Sequence, residues 1–502
     1  MLGSFNDFSR PLALLATPLA LWLTGCNVGP DFKPPAEPVE TNYDLTGPAD
    51  LTNPPGESEQ HLAVGEAIAG DWWSLYRSPA LDQILALAIA ENRDLAVARA
   101  NLAAAHEAAN AARGGLFPQI DFAASAERQR LSYAAFGLNQ PPAQFNIFQV
   151  GPSVSYSLDV FGRTRRLVEE RDAQAKIQEY QLDATYLSLT GNTVAGALLL
   201  ASLDAQVKAM QDIVAADQDM LGLTQKQTEA GAATRLDIES ARSQLAADRA
   251  LLPPLQHQQS VARHALALLV GKSPAQWTPP AFTLDSLILP AHVPVTLPSK
   301  LVHQRPDILA AEAELHAATA AVGVATAELY PDISLTGSIS QIAVSPSSLF
   351  QPASTIWAVA AAVSGPLFHG GSLEAQKRAA GDNLDAAYAT YQQTVLAAFA
   401  QVADALDALQ SDADLLGGER QAMDSARISL DLTRRTYTAG AATLLQVLDS
   451  QRLYQRARLG YIRAAAQRHV DTAQLILAMG GGWWNKTDLV ARDREPTKSP
   501  TH

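Results

Sequence analysis

Between Pro118 and Asp159, and again between Pro331 and Phe368, apolar residues fall at every second position. Phe148, Val150, Val154, Tyr156 and Leu158 alternate with Gln149, Gly151, Ser153, Ser155, Ser157 and Asp159. Ile333, Leu335 and Ile339 alternate in the same way with Asp332, Ser334, Thr336, Ser338 and Ser340. A period of two predicts strands with one apolar face and one small-polar face. Outside these windows the spacing becomes helical, and strongly so from Leu81 to Leu116, from about Arg163 to Thr228, from Thr234 to Val270 and from about Ser372 to Tyr437. A helix of roughly 65 residues spans on the order of 100 Å at 1.5 Å per residue, more than an ordinary globular domain uses. Gly191, Gly196 and Gly222 lower the propensity locally, and Pro253-Pro254 is expected to break or kink its helix.

The pattern occurs twice. Asn92-Arg93-Asp94-Leu95 through Leu116-Phe117-Pro118-Gln119-Ile120 aligns with Arg305-Pro306-Asp307-Ile308 through Leu329-Tyr330-Pro331-Asp332-Ile333; Pro118 to Pro331 is an offset of 213. Ala230-Gly231-Ala232-Ala233-Thr234 recurs as Ala439-Gly440-Ala441-Ala442-Thr443, an offset of 209 from Gly231 to Gly440. Two near-equal offsets imply one ancestral half, duplicated, and a protomer with pseudo-twofold character. Each half reads helix, two strands, long helix, Ala-Gly turn, helix. The resulting division is 1–25 leader, 26–70 extended segment, 71–272 first repeat with strands about 118–160, 273–298 proline-rich linker, 299–482 second repeat with strands about 331–368, and 483–502 tail. The proline-rich stretches read as extended chain lying on something larger, and the end from Asn485 to His502 as disordered.

Strands of about ten residues, apolar outside and small-polar inside, are what the wall of a membrane β-barrel with a wet lumen requires. The alternation alone also fits a half-buried soluble sheet. Four strands cannot close a barrel, since about eight is the practical minimum, and open edges cannot lie in lipid. Several copies must then share one barrel, and three would supply twelve strands. The expected fold is α+β, a membrane β-barrel shared between copies and accompanied by very long helices.

Composition narrows the function. The 37 Lys and Arg against 51 Asp and Glu give a net charge of −14, which excludes the basic face of a nucleic-acid binder. Aromatics make up only 6%, while Ala, Leu and Gln recur in long runs, as suits long helices. The lone Cys26 rules out disulfide frameworks and multi-cysteine metal sites. It follows Arg10, the apolar run Pro11 to Leu23 and the small residues Thr24-Gly25. That run is shorter than the about 20 residues a spanning helix needs and fits a signal peptide.

Leu23-Thr24-Gly25-Cys26 resembles the bacterial lipoprotein box, which implies cleavage before Cys26, S-diacylglycerol on its thiol and an N-acyl chain. Asn27 after the cysteine, by the same resemblance, implies sorting to the outer membrane. Further along stand Asn27-Val28-Gly29-Pro30-Asp31-Phe32, Asp71-Trp72-Trp73 with Leu81-Asp82, Leu158-Asp159-Val160-Phe161-Gly162, Arg305-Pro306-Asp307-Ile308, Gly365-Pro366-Leu367-Phe368 with Gly370-Gly371, and Gly480-Gly481-Gly482-Trp483. In this order, across almost the whole mature chain, they resemble the outer membrane factor family (TolC-like), and within it the NodT-type lipoprotein ducts of tripartite efflux pumps.

The resemblance implies a homotrimer in the outer membrane of a Gram-negative bacterium: a trimeric outer-membrane β-barrel of twelve strands continued by a long periplasmic α-helical barrel. It implies a periplasmic adaptor (membrane fusion) protein and an inner-membrane transporter of the resistance-nodulation-division type as partners, outer-membrane lipid around the barrel, and no nucleic acid. It further implies a periplasmic gate. Leu445, Asp449 and Arg452, at i, i+4 and i+7 on one helical face, would supply a hydrophobic constriction, an acidic ring and a tie between coils. Tyr437 would be a second tie. Asp237 would be the matching acid of the first copy and a partner of Tyr437. Gly231, Thr234, Gly440 and Thr443 would form the turns on which the adaptor docks. On spacing alone, these residues also fit an ordinary helix surface.

Enzyme chemistry finds little support. Gly271-Lys272-Ser273 imitates the end of a phosphate loop, but Leu266 stands where its first glycine belongs and a helix precedes it. Gly271 reads better as a helix C-terminal residue. His257 and His264 lack metal-ligand spacing, and no Gly-x-Ser-x-Gly elbow occurs. No catalytic residue, metal or cofactor is expected beyond the lipid on Cys26. The sequence reads as a passive outer-membrane exit duct. The alternatives are the duct of a type I protein secretion system, or a lipid-anchored periplasmic coiled-coil scaffold, which would leave the alternating strands unexplained.

Overall fold

The computed structural model describes residues 27–43, Leu51 and residues 59–485. Cys26 with the leader before it, and the tail beyond Asn485, lie outside the described residues. Among the described residues the chain forms two compact units, the first from residues 27–35, 101–178 and 311–391 and the second from 36–100, 179–310 and 392–485. Each half of the duplicated sequence therefore contributes to both units.

The first unit is built on an antiparallel sheet of β2 (Gln119–Leu131), β3 (Ala143–Leu158), β5 (Asp332–Ala343) and β6 (Thr355–Ser364), in the order β2-β3-β5-β6. These are the four strands expected from the alternation. The register aligns Ile120 with Val154, Val154 with Gly337 and Gly337 with Val359, so the apolar phase of every strand falls on one face. Gln119, Ser155, Thr336 and Ala360 form a row of the opposite, small-polar face. Both edge strands, β2 and β6, are exposed along their whole length, with Ile120, Phe122, Trp357, Val359 and Val363 each more than two-thirds exposed.

At the end of β3, the Asp159 carboxylate accepts the backbone N–H groups of Thr164 and Arg165, both at 2.9 Å, and so caps the helix that follows. This explains the Leu-Asp-Val-Phe-Gly motif as a strand-to-helix corner.

Seven α-helices of more than four residues are described: α1 (Pro79–Glu91), α2 (Arg93–Gly114), α3 (Arg163–Glu229), α4 (Arg235–Leu269), α5 (Pro306–Ala327), α6 (Ser372–Thr438) and α7 (Leu444–Ala478). The α3 and α6 helices have 67 residues each, and α4 and α7 have 35 each, so the change in offset from 213 to 209 arises before α3 and α6, in the strand region.

Two expectations are corrected. The segment Leu81–Leu116 is two helices: Asn92 is extended at ψ 135°, and its Oδ1 accepts the Leu95 N–H at 3.0 Å to start α2. Its Nδ2 donates to the Leu269 carbonyl at 2.9 Å, which fixes the corner against the end of α4. At Pro253-Pro254, by contrast, α4 runs on unbroken. Arg249 and Ala250, whose carbonyls lose their intrahelical partners there, are both exposed, so water can replace the lost bonds.

The second unit also holds a small parallel sheet of β1 (His61–Val64) and β4 (His292–Val295), which the proline-rich reading missed. The remaining motifs hold this unit together. Trp72 and Tyr76 are fully buried, and Tyr76 Oη donates to the His469 carbonyl at 2.6 Å. Arg305 bonds Asp307 at 2.7 Å, the Ala478 carbonyl at 2.8 Å and Gln401 at 2.8 Å. Gly271 ends α4 with φ 69°, and Lys272 Nζ bonds Glu91 at 2.8 Å.

Candidate functional site

The two Ala-Gly turns, at the α3–α4 and α6–α7 corners, have the same construction. Gly231 N–H donates to the Thr228 carbonyl at 3.0 Å and Ala232 N–H to that of Gln227 at 2.7 Å. At the second corner, Gly440 N–H donates to Tyr437 at 3.0 Å and Ala441 N–H to Thr436 at 2.9 Å. This is a Schellman-type ending, and both glycines are left-handed, at φ 77° and 76°. Thr234 and Thr443 then cap the returning helices in reciprocal boxes with Asp237 and Gln446. Behind the turns, Met220, Ala241, Leu444, Val447 and Leu448 form a buried apolar cluster against which Tyr437 packs.

This construction gives Asp237 a local role at the turn. At the 209-residue offset that superimposes the turns, Asp237 corresponds to Gln446, and Asp449 corresponds to Ser240. Asp237 therefore occupies a capping position, its Oδ2 accepting from the Thr234 N–H at 2.8 Å and the Thr234 hydroxyl at 2.7 Å. Nor does it partner Tyr437 within the protomer. Tyr437 Oη donates instead to Gln227 Oε1 on α3, at 2.6 Å.

Asp449 and Arg452 do come together, at 3.2 Å, both more than half exposed. Arg452 also donates from Nε to Gln244 Oε1 on α4, at 2.8 Å. Leu445 is 62% exposed beside the turn, and its counterpart Leu236 is 75% exposed. Leu236 and the two glutamines were not singled out in the sequence. The offset would have found Leu236; a glutamine in a helix carries no comparable signal.

Gln244 leads inward. Its Nε2 donates to Asp248 Oδ2 at 2.8 Å, and Gln455 Nε2 donates to Asp248 Oδ1 at 2.9 Å. Asp217 on α3 accepts from Gln451 Nε2 on α7 and lies beside Asp248. Both carboxyls are 3% exposed. Burial, and then the neighbouring Asp248, push the Asp217 carboxyl up to about 8, against the pull of Gln451 and Arg434. The corner thus has a layered structure: an exposed ion pair, one amide, then a buried carboxyl pair.

Comparison with known proteins identifies the framework around these turns. The outer membrane efflux protein family model matches twice, over residues 84–272 and 297–481, one match to each repeat. The cation efflux system protein CusC of Escherichia coli O6:H1 is 30% identical over 477 residues, 94% of this chain and 99% of that protein. The probable efflux pump outer membrane protein TtgC of Pseudomonas putida is 30% identical over 473 residues, 93% of this chain and 95% of that protein. Among solved structures, the outer-membrane channel OprN superimposes with a TM-score of 0.83 at 29% identity, covering 91% of this chain and all of that one. The chain belongs to the outer membrane efflux protein family and is the outer-membrane duct of an efflux system.

Proposed function

We propose that three copies of the chain form the duct and that it is closed at rest at the two helix-pair turns. The exposed backbone edges of β2 and β6 support the trimer, because in lipid each unpaired edge group costs several kcal/mol and must be covered by a neighbouring copy. Acyl chains on Cys26 would add a second attachment to the outer membrane, each buried methylene contributing about 0.8 kcal/mol. A periplasmic adaptor would dock on the exposed turns around Gly231, Thr234, Gly440 and Thr443. It would open the duct by binding its open state more tightly than its closed one. An inner-membrane transporter of the resistance-nodulation-division class would supply both the energy and the choice of cargo.

The observation that carries the gate is the double engagement of Arg452, with Asp449 on its own helix and with Gln244 on the neighbouring α4. The Tyr437–Gln227 bond joins α6 to α3 in the same way. Parting the helix pairs breaks both ties. Planar-bilayer recording tests the reading: Asp449→Ala combined with Tyr437→Phe should raise single-channel conductance, and an unchanged conductance would sink it.

A further inference from the structure

The tie at Arg452 does not end at Gln244. Gln244 is buried and has both ends of its amide engaged, Oε1 by Arg452 and Nε2 by Asp248, so Asp248 holds the amide in the orientation Arg452 needs. Asp248 in turn faces Asp217 across the α3–α4 contact. The groups around the pair are known from every helix packed on it. The α7 helix presents Gln451 and Gln455, and α6 presents Arg434, whose Nη2 lies 3.4 Å from Gln451 Oε1. Farther along the α3–α7 contact, Arg458 pairs with Asp212 at 2.9 Å. Two cations reach the pair, each through an amide: Arg434 through Gln451 and Arg452 through Gln244. Asp217 Oδ2 is buried with no donor from any other side chain, so one proton placed between the two carboxyls satisfies it.

We propose that Asp217 and Asp248 share one proton, and that this proton is a latch holding α3, α4 and α7 together behind the Arg452 tie. When it leaves to water, two like charges stand buried with no cation in direct contact, Arg434 and Arg452 each lying beyond an amide. Water must enter to solvate them, α3 separates from α4, and Gln244 is drawn off Arg452. The duct is then easier to open on the alkaline side of neutrality. This rests on the gate reading above and adds a proton to it.

Two measurements on the full-length trimer test the latch. In planar bilayers, wild-type open probability should rise severalfold between about pH 6 and pH 9, since the doubly charged fraction grows about tenfold per pH unit below the raised value. Asp217→Asn, which keeps the neutral form, should stay low and flat. A flat wild-type profile, or an Asp217→Asn profile that rises like the wild type, overturns the latch. The infrared carbonyl band of a protonated carboxyl should be present in wild type at neutral pH and weaker in Asp217→Asn. A wild type without that band overturns the latch even if the variant fails to fold. If Asp449→Ala raises conductance while the wild type ignores pH, the latch fails and the gate stands. If Asp449→Ala changes nothing, both fail.

Discussion

Arg166 and Asp31 are bonded at 2.6 Å, although Arg166 is 2% exposed and Asp31 82% exposed. The guanidinium also bonds Glu169 at 2.7 Å and the Val28 carbonyl at 3.3 Å, so a buried cation on α3 holds the extended segment that follows Cys26. Phe32 stacks on His316 of α5, with ring centroids 4.3 Å apart. Residues 28–32 thus form a short strap docked on the first unit.

The strap passes closest to α5 at Gly29, which has φ 90° and where an added Cβ would lie 2.5 Å from the Gly323 Cα. Gly29→Ala therefore cannot dock without moving backbone, and residues 27–32 should become sensitive to protease in the folded trimer. Arg166→Ala should do the same and cost about 2–4 kcal/mol through lost packing and the Glu169 carboxylate left behind. Asp31→Asn, with its side chain mostly in water, should cost under about 1 kcal/mol. Equal effects from Asp31→Asn and Arg166→Ala would show that burial does not set the strength of this dock.

The two capping boxes predict an asymmetry. Asp237 places a carboxylate at the start of α4, whereas Gln446 places a neutral amide at the start of α7. A negative charge there interacts favourably with the helix dipole, by about 0.3–1 kcal/mol. Gln446→Glu should accordingly raise the thermal midpoint, and Thr443→Ala should lower stability by about 1 kcal/mol. Thermal melts at fixed protein and detergent concentration check both. A lower midpoint for Gln446→Glu would mean that the amide has a second role at the turn.

A second buried carboxyl pair makes stability depend on pH. Burial pushes the Asp412 carboxyl from 3.8 up to about 7, the neighbouring Asp471 adds to this, and Arg468 opposes it. The folded protein thus holds this proton more tightly than the unfolded chain does. Its stabilising effect is complete below about pH 4 and is lost as pH rises to about 7, at no more than about 1.4 kcal/mol per pH unit. Asp412→Asn should make the fall of the denaturation midpoint over that window shallower, leaving the part that the raised Asp217 carboxyl contributes. A wild-type slope unchanged by the substitution would assign the proton elsewhere.

The sheet was legible because a period of two leaves each strand only one way to face lipid, as the row Ile120, Val154, Gly337, Val359 shows. The long helices were legible from length and spacing. The corner at Asn92 was not, because it depends on a side chain that ends one helix and starts the next while bonding Leu269, distant in sequence. Asp237 was matched to Asp449 by residue type, whereas the 209-residue offset aligns it with Gln446 at a capping position. Gln227 and Gln244 carry no pattern of their own. The pair Asp217 and Asp248 left a trace, since Asp248 follows Ala241, Gln244 and Leu245 in one buried helical phase. That phase shows burial, but only the fold shows what a buried acid faces.

The gate ion pair should also set ion preference. The chain carries a net charge of −14, and three copies would bring three Asp449 carboxylates to the turns, each offset by an Arg452 at 3.2 Å. A constriction with an acidic ring favours cations, so reversal potentials in a salt gradient should show cation preference in the wild type. Asp449→Asn should reduce it. Arg452→Gln should increase it, because it removes the cation that half-neutralises each acid. Both shifts should fade toward 1 M salt, where the screening length falls to about 3 Å. Anion preference in the wild type would place the deciding charges elsewhere in the lumen, and an Arg452→Gln channel with unchanged selectivity would separate the Asp449–Arg452 pair from the conduction path.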